Sequence, residues 1–139
     1  MRELRFSAEI LKAITDQARR DYPEETCGLM IGRLHRDHTH VLRMYPVANT
    51  ASPDQRHHFY QIEGKDFLAA EQTAREAGLE VVGVFHSHPD QQPVPSKTDR
   101  ELAWENLSYL IVHVSAGQDM ECRSWRLMDG AFQEEMVKI

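Results

Sequence analysis

Two cysteines, Cys27 and Cys122, are all that the 139 residues carry. They are too few for a disulfide framework, and in a reducing compartment such residues are expected as buried thiols. No run of lysine and arginine occurs, and 16 basic residues stand against 22 acidic ones for a net charge of −6, so nucleic acid is not an expected partner. No stretch approaches the roughly 20 apolar residues that cross a bilayer, and Met1 to Ile10 lack the apolar core of a signal peptide, so membrane association is not expected and the expected location is cytoplasmic. Internal repeats, linkers and low-complexity tracts are also missing. What remains, 41% hydrophobic and 27% charged, is the composition of an ordinary globular protein, expected as one domain over residues 1–139.

One short stretch organises the rest. Glu80-Val81-Val82-Gly83-Val84-Phe85 is an apolar run rich in β-branched residues, short enough for a buried strand, and it leads into His86-Ser87-His88-Pro89. Side chains alternate along a strand, so His86 and His88 point the same way and Ser87 points the other. Two imidazoles at i and i+2 reach one metal ion without distorting the backbone. Pro89 has no N–H for the ladder, so the strand should end there, and Asp90 to Pro95 read as loop. Ser96 then reads as a helix N-cap, with Asp99 three residues on completing a variant capping box. Strand, loop and helix N-terminus deliver two histidines and a carboxylate to one place, a ligand set that suits zinc with one position open for water. The plainer alternative is a pair of half-buried histidines beside an ordinary helix cap.

In chain order, Glu3–Phe6 reads as a short strand and Ser7 as an N-cap. Ile10, Leu11, Ile14, Ala18 and Tyr22 then recur at helical spacing up to Pro23. Thr26–Leu34 is an apolar run headed by two acids, Glu24 and Glu25. It is read as a central strand whose glycines mark close approach of another element. His38–Val47 alternates as a strand, Asn49–Arg56 is a polar loop suited to substrate contact, and His57–Ile62 is expected as a further strand. His57 and His58 are adjacent and would face opposite sides of that strand, so they are not expected to share a metal. Gly64–Gly78 carries a second helical stripe closed by a C′ glycine, feeding the Glu80 strand by a crossover. After a short helix, Lys97–Glu105, come a strand over 109–114, a turn over 116–119, and a hairpin of 121–128 with 131–137 across Asp129-Gly130. His113 is expected as a satisfied core histidine or a support for the metal ligands.

His86-Ser87-His88, seven residues, Ser96, two residues and Asp99 resemble the JAMM motif of the JAB/MPN metalloprotease family, and nearly the whole chain fits the family's order of elements. The resemblance implies an α+β (α/β-like) fold, the MPN fold, with a mixed, bent sheet flanked by two main helices and a short helix carrying Asp99. It implies Zn²⁺ on His86, His88 and Asp99, and it places the catalytic glutamate at the second of the two acids, Glu25, with Glu24 as the alternative. Ser96 is implied as hydrogen-bond donor to the oxyanion, a role sharing its hydroxyl with the cap. The length is similar to that of compact bacterial members acting on ubiquitin-like sulfur-carrier proteins, which implies cleavage after C-terminal glycines and release of cysteine or a C-terminal extension. A Gly-Gly tail is narrow enough to add a strand to a sheet edge, between Asn49–Arg56 and Gln91–Pro95. The alternatives are a deconjugase of another ubiquitin-like system, such as an antiphage one, and a metal-free MPN scaffold. Oligomeric state is not legible.

Overall fold

The computed structural model describes residues 1–116 and 120–139. Helix α1 (Ala8–Asp21) starts where the Ser7 side chain accepts from the Ile10 N–H at 3.2 Å and ends at Tyr22, just before Pro23. Helix α2 (Gly64–Glu76) ends at Ala77, and Gly78, at φ +70°, takes the left-handed turn that releases the chain into a strand. Helix α3 (Lys97–Leu102) is three residues shorter than expected. The strands are β1 (Glu3–Arg5), β2 (Cys27–Leu34), β3 (His38–Val47), β4 (Glu80–Pro89), β5 (Ser108–Val114), β6 (Met120–Met128) and β7 (Ala131–Lys138). Asp129 and Gly130 both have positive φ, as the two-residue turn between β6 and β7 requires. Part of the turn expected over 116–119 lies outside the described residues.

The strands close into a barrel in the order β1-β3-β2-β4-β5-β6-β7, where a mixed, bent sheet is expected from the sequence. Closure rests on β1. Its three residues pair in parallel with His38–His40 of β3 on one side and with Met136–Lys138 of β7 on the other. A three-residue strand gives too little pattern to announce that it bridges two sheet edges. Strand β2 is antiparallel to both β3 and β4, while β4 and β5 are parallel neighbours joined through α3. Their parallel crossover is therefore the segment that carries Ser96 and Asp99.

A second departure is the strand expected over His57–Ile62, which is irregular. Its backbone groups are taken by Asn49 and Thr50 instead of a ladder. The Asn49 amide donates to Phe59 O (3.0 Å) and to Glu25 O (3.1 Å), its oxygen accepts from the Ala51 and Gln61 N–H groups, and Thr50 N–H bonds to Gln61 O. One asparagine thus closes the loop over residues 49–61 and ties it to the start of β2.

Two apolar clusters lie on opposite faces of β2, β4 and β5. Met30, Phe85, Leu110 and Val112 pack with Leu4, Ile14 and Ala18 on the α1 side, whereas Leu29, Val84 and Tyr109 pack with Ala70 on the α2 side. The alternation that points Phe85 toward α1 points Val84, His86 and His88 the other way. No helix of the described residues is long and apolar enough to cross a membrane. Both cysteines are free thiols, Cys27 buried and Cys122 half-buried.

The expected close approach at the β2 glycines is present. Gly32 sits where the β2–β3 register shifts, and a Cβ there would overlap the His40 carbonyl. Backbone cannot yield as a side chain does, so Gly32→Ala is expected to destabilise the fold by at least about 1–3 kcal/mol. A denaturant midpoint equal to the parent's would refute that.

Candidate active site

The three expected ligand residues meet. His86 Nε2 and His88 Nε2 lie 3.3 and 3.1 Å from Asp99 Oδ2 and 3.2 Å from each other. Among the described residues this is the one group of three or more potential metal ligands whose ligand atoms converge. His57 and His58 are not part of that group, and their ring nitrogens lie 2.9 Å apart, so they do not face opposite sides as expected of a strand.

Each ligand is held from behind. His88 Nδ1 faces Gln92 O at 2.8 Å. A carbonyl only accepts, so that nitrogen carries the proton and Nε2 keeps its lone pair for the shared point. His86 has no such acceptor, since its buried Nδ1 has no hydrogen-bond partner, and its ring is positioned by the Tyr60 ring stacked on it at 4.3 Å. Asp99 is fixed by the capping box. Ser96 N–H donates to Asp99 Oδ2 at 2.9 Å, and Asp99 N–H donates to Ser96 Oγ at 3.0 Å. The cap uses a lone pair of the Ser96 oxygen and leaves its O–H proton free, so capping and donation do not compete as the sequence alone suggests.

The connecting loop is pinned residue by residue. The Asp90 carboxylate accepts from Tyr22 O–H at 2.7 Å, Gln91 O from His113 at 2.6 Å, Gln92 O from His88, and Pro93 O from Trp125 at 3.0 Å. His113 is therefore a support for the ligand loop. The Tyr22 and Trp125 anchors carry no signal in the sequence, because each is a side chain meeting a loop group far away in the chain.

Burial lowers the pKa of His86, which keeps the ring neutral. At Asp99 burial works in the opposite direction, yet the two histidines and the Ser96 N–H hold the carboxyl far below the usual range. Two imidazole lone pairs and one carboxylate aimed at a single point form a donor set that fits a divalent ion such as zinc.

Glu25 arrives from the neighbouring strand. Cys27 is the register partner of His86, Thr26 and Ser87 exchange hydrogen bonds, and continuing that antiparallel register sets Glu25 opposite His88. Its main chain is held on both sides, N–H to Arg56 O at 2.6 Å and C=O by Asn49. Its side chain is 5% exposed, and burial, reinforced by the Asp99 anion and opposed by His88, pushes the carboxyl up to about 8. Glu24 is half-buried beside it and adjoins the same cavity of about 330 Å³. Tyr60, stacked on His86, also forms one wall of an apolar groove of about 460 Å³, with Phe67, Trp104 and Tyr109.

A carboxyl raised on folding costs stability once the unfolded chain has ionised. The cost is absent below the ordinary value of 4.5, grows as pH rises, and is complete above about 8. In metal-free protein, Glu25→Gln is therefore expected to be the more stable form at pH 8 by about 1 kcal/mol or more, with the difference vanishing near pH 4. Chemical denaturation in the presence of a chelator measures it, and a difference independent of pH would contradict the assignment.

Residues 7–128 match the family described as prokaryotic homologues of the JAB domain. The CysO-cysteine peptidase of Mycobacterium tuberculosis is 33% identical over 134 residues, covering 95% of this chain and 88% of that protein. The desampylase of Haloferax volcanii is 36% identical over 103 residues, covering 73% and 71%. A solution structure from Desulfitobacterium hafniense superposes with a TM-score of 0.83 at 31% identity, covering 96% and 90%. With the His-His-Asp constellation already in place on β4 and α3, these likenesses establish that the chain belongs to the prokaryotic JAB (JAMM/MPN) peptidase family.

Proposed function

We propose that the protein is a zinc-dependent peptidase that hydrolyses the bond after the C-terminal glycines of a ubiquitin-like sulfur-carrier protein, releasing cysteine or a C-terminal extension. The observation that carries this reading is the convergence of His86 Nε2, His88 Nε2 and Asp99 Oδ2 within hydrogen-bonding distance of one another, with a buried glutamate on the adjoining strand. A zinc ion held by this set supplies a Lewis acid and brings the pKa of a water toward about 7.

The chain's own residues supply the rest. Glu25 takes the proton of the attacking water as the new C–O bond forms, and gives it to the nitrogen as the C–N bond breaks, leaving a carboxylate on the glycine and a free amine. Burial suits Glu25 to that exchange, because a carboxyl lifted out of the acidic range holds and releases a proton near neutral pH. Ser96 directs its free O–H to the carbonyl oxygen as negative charge gathers there. The likeness to a desampylase supports a second reading, deconjugation of a ubiquitin-like modifier from an amine. The complete ligand set favours either over a metal-free scaffold.

His86→Ala, His88→Ala and Asp99→Ala are each expected to lower zinc content strongly, whereas His57→Ala and His58→Ala leave it near the parent's. Glu25→Gln should retain zinc and lose hydrolysis by about 10²–10⁴-fold. Metal analysis of protein purified without chelator, with mass spectrometry of carrier substrates bearing C-terminal cysteine or longer extensions, reads both. Stoichiometric zinc in all three ligand variants would overturn the site, and a fully active Glu25→Gln beside a dead Glu24→Gln would move the base by one residue.

Ser96 separates cap from donor. If it only caps, Ser96→Ala costs about 1 kcal/mol of stability and leaves the rate per folded molecule intact. As a donor, its loss lowers kcat by about 10²-fold or more, which is the expected result. Undiminished kcat in folded, zinc-loaded Ser96→Ala enzyme would refute it.

A further inference from the structure

On the peptidase reading the leaving amine departs beside Glu25, and Arg56 is hydrogen-bonded directly to Glu25. Glu25 has to reach the departing nitrogen to protonate it. Glu25 also lines a cavity with Glu24, Asn49 and Arg56, and it is through Glu25 that this cavity meets the site. At about 330 Å³ the cavity is at the small end of ligand pockets and is lined by polar and charged side chains of both signs.

Arg56 is built into the site at two points. Its carbonyl accepts the Glu25 N–H at 2.6 Å, and its Nε donates to Ala51 O at 2.8 Å, inside the loop that Asn49 closes. The side chain is half-buried, and among the described residues no carboxylate forms an ion pair with it. Arg20, the other arginine of the cavity, is largely exposed and already lies 3.4 Å from Asp21. Arg56 thus keeps the outer pair of guanidinium nitrogens, the geometry that grips a carboxylate with two parallel hydrogen bonds.

The two kinds of leaving amine differ in what they offer such a group. When a single amino acid extends the carrier, its α-carboxylate sits on the carbon bonded to the scissile nitrogen, next to Glu25. When the amine is a lysine of a folded protein, four methylenes separate the nitrogen from the backbone and no carboxylate is there.

We propose that Arg56 is the specificity-determining residue of the leaving-group side, pairing with the free α-carboxylate of a single C-terminal amino acid. The proposal rests on the peptidase reading and deepens it. Arg56 holds the carboxylate, Glu25 protonates the nascent amine, and the acidic side chains of the cavity face the ammonium of the zwitterion that departs.

The test uses zinc-loaded full-length protein and a ubiquitin-like carrier ending Gly-Gly-Cys, prepared with a free terminal carboxylate and as the terminal carboxamide. The parent is expected to favour the free acid in kcat/KM by about 10- to 100-fold, the worth of a charge-assisted pair. In Arg56→Met that ratio should fall toward one, whatever loss the two substrates share, and Arg56→Lys should restore part of it. Binding of the tripeptide acetyl-Gly-Gly-Ala and its amide to zinc-loaded Glu25→Gln protein, with and without Arg56→Met, measures the same preference without turnover. A parent that does not discriminate acid from amide in either assay, or an Arg56→Met ratio equal to the parent's, overturns the role of Arg56. Absence of cleavage beside an intact, Arg56-dependent binding preference would instead count against the peptidase reading and leave the carboxylate site standing.

Discussion

The site depends on the register of β2 against β4. Thr26 N–H donates to Ser87 Oγ at 2.8 Å, and Ser87 N–H returns a bond to Thr26 O at 3.1 Å. Helix α1 reinforces the same residue. Gln17 donates to Thr26 Oγ1 at 2.6 Å and to Cys27 O at 3.0 Å, and Thr26 O–H donates to Asp21 at 2.7 Å. Thr26 is thus clamped by one strand and one helix, between Glu25 and a residue paired with His86. A slip of one residue in β4 would turn both histidines toward α1 and bring Phe85 and Ser87 to the face they now occupy. Ser87, between the two ligands and pointing away from them, is the residue that locks that register.

Around this clamp the electrostatics divide by burial and partner. Asp99 and Glu25 are both carboxyls removed from water, yet one is pulled far down and the other pushed up to about 8. The difference is the company each keeps. Asp99 lies against the two imidazoles and accepts a backbone N–H, while Glu25 is held only through its main chain, by Arg56 and Asn49. Neighbouring carboxyls are thereby kept in opposite protonation tendencies, the arrangement by which a site separates an ionised group from one that exchanges protons.

Local chemistry was legible wherever a short-range rule governed it. The i, i+2 spacing of His86 and His88 placed them on one face, Ser96 and Asp99 announced their capping box, and Gly78 and Asp129-Gly130 took the backbone angles their positions implied. Long-range satisfaction was not legible. The strand expected over His57–Ile62 does not form because Asn49 captures its backbone groups, and nothing in the His-His-Phe-Tyr pattern reports an asparagine eight residues earlier. The barrel was invisible for a related reason, since β1 offers three residues of pattern while its partners lie in β3 and β7. Tyr60 carried no sign of stacking on His86, because a loop aromatic has no periodicity to betray the direction it faces.

That three-residue strand has a consequence for the order in which the molecule can be made. Leu4, wholly buried, is register partner to both Thr39 and Val137, so the first strand completes its pairing only when the last has joined the fold. On the ribosome Glu3–Arg5 emerge early and wait through the synthesis of every other element, with Leu4 and Phe6 lacking the β7 side of their enclosure until then. Barrel closure is thus a late step of high sequence separation, the kind of contact that slows folding most. The nascent chain can assemble the β2–β4 register before the barrel has shut around it.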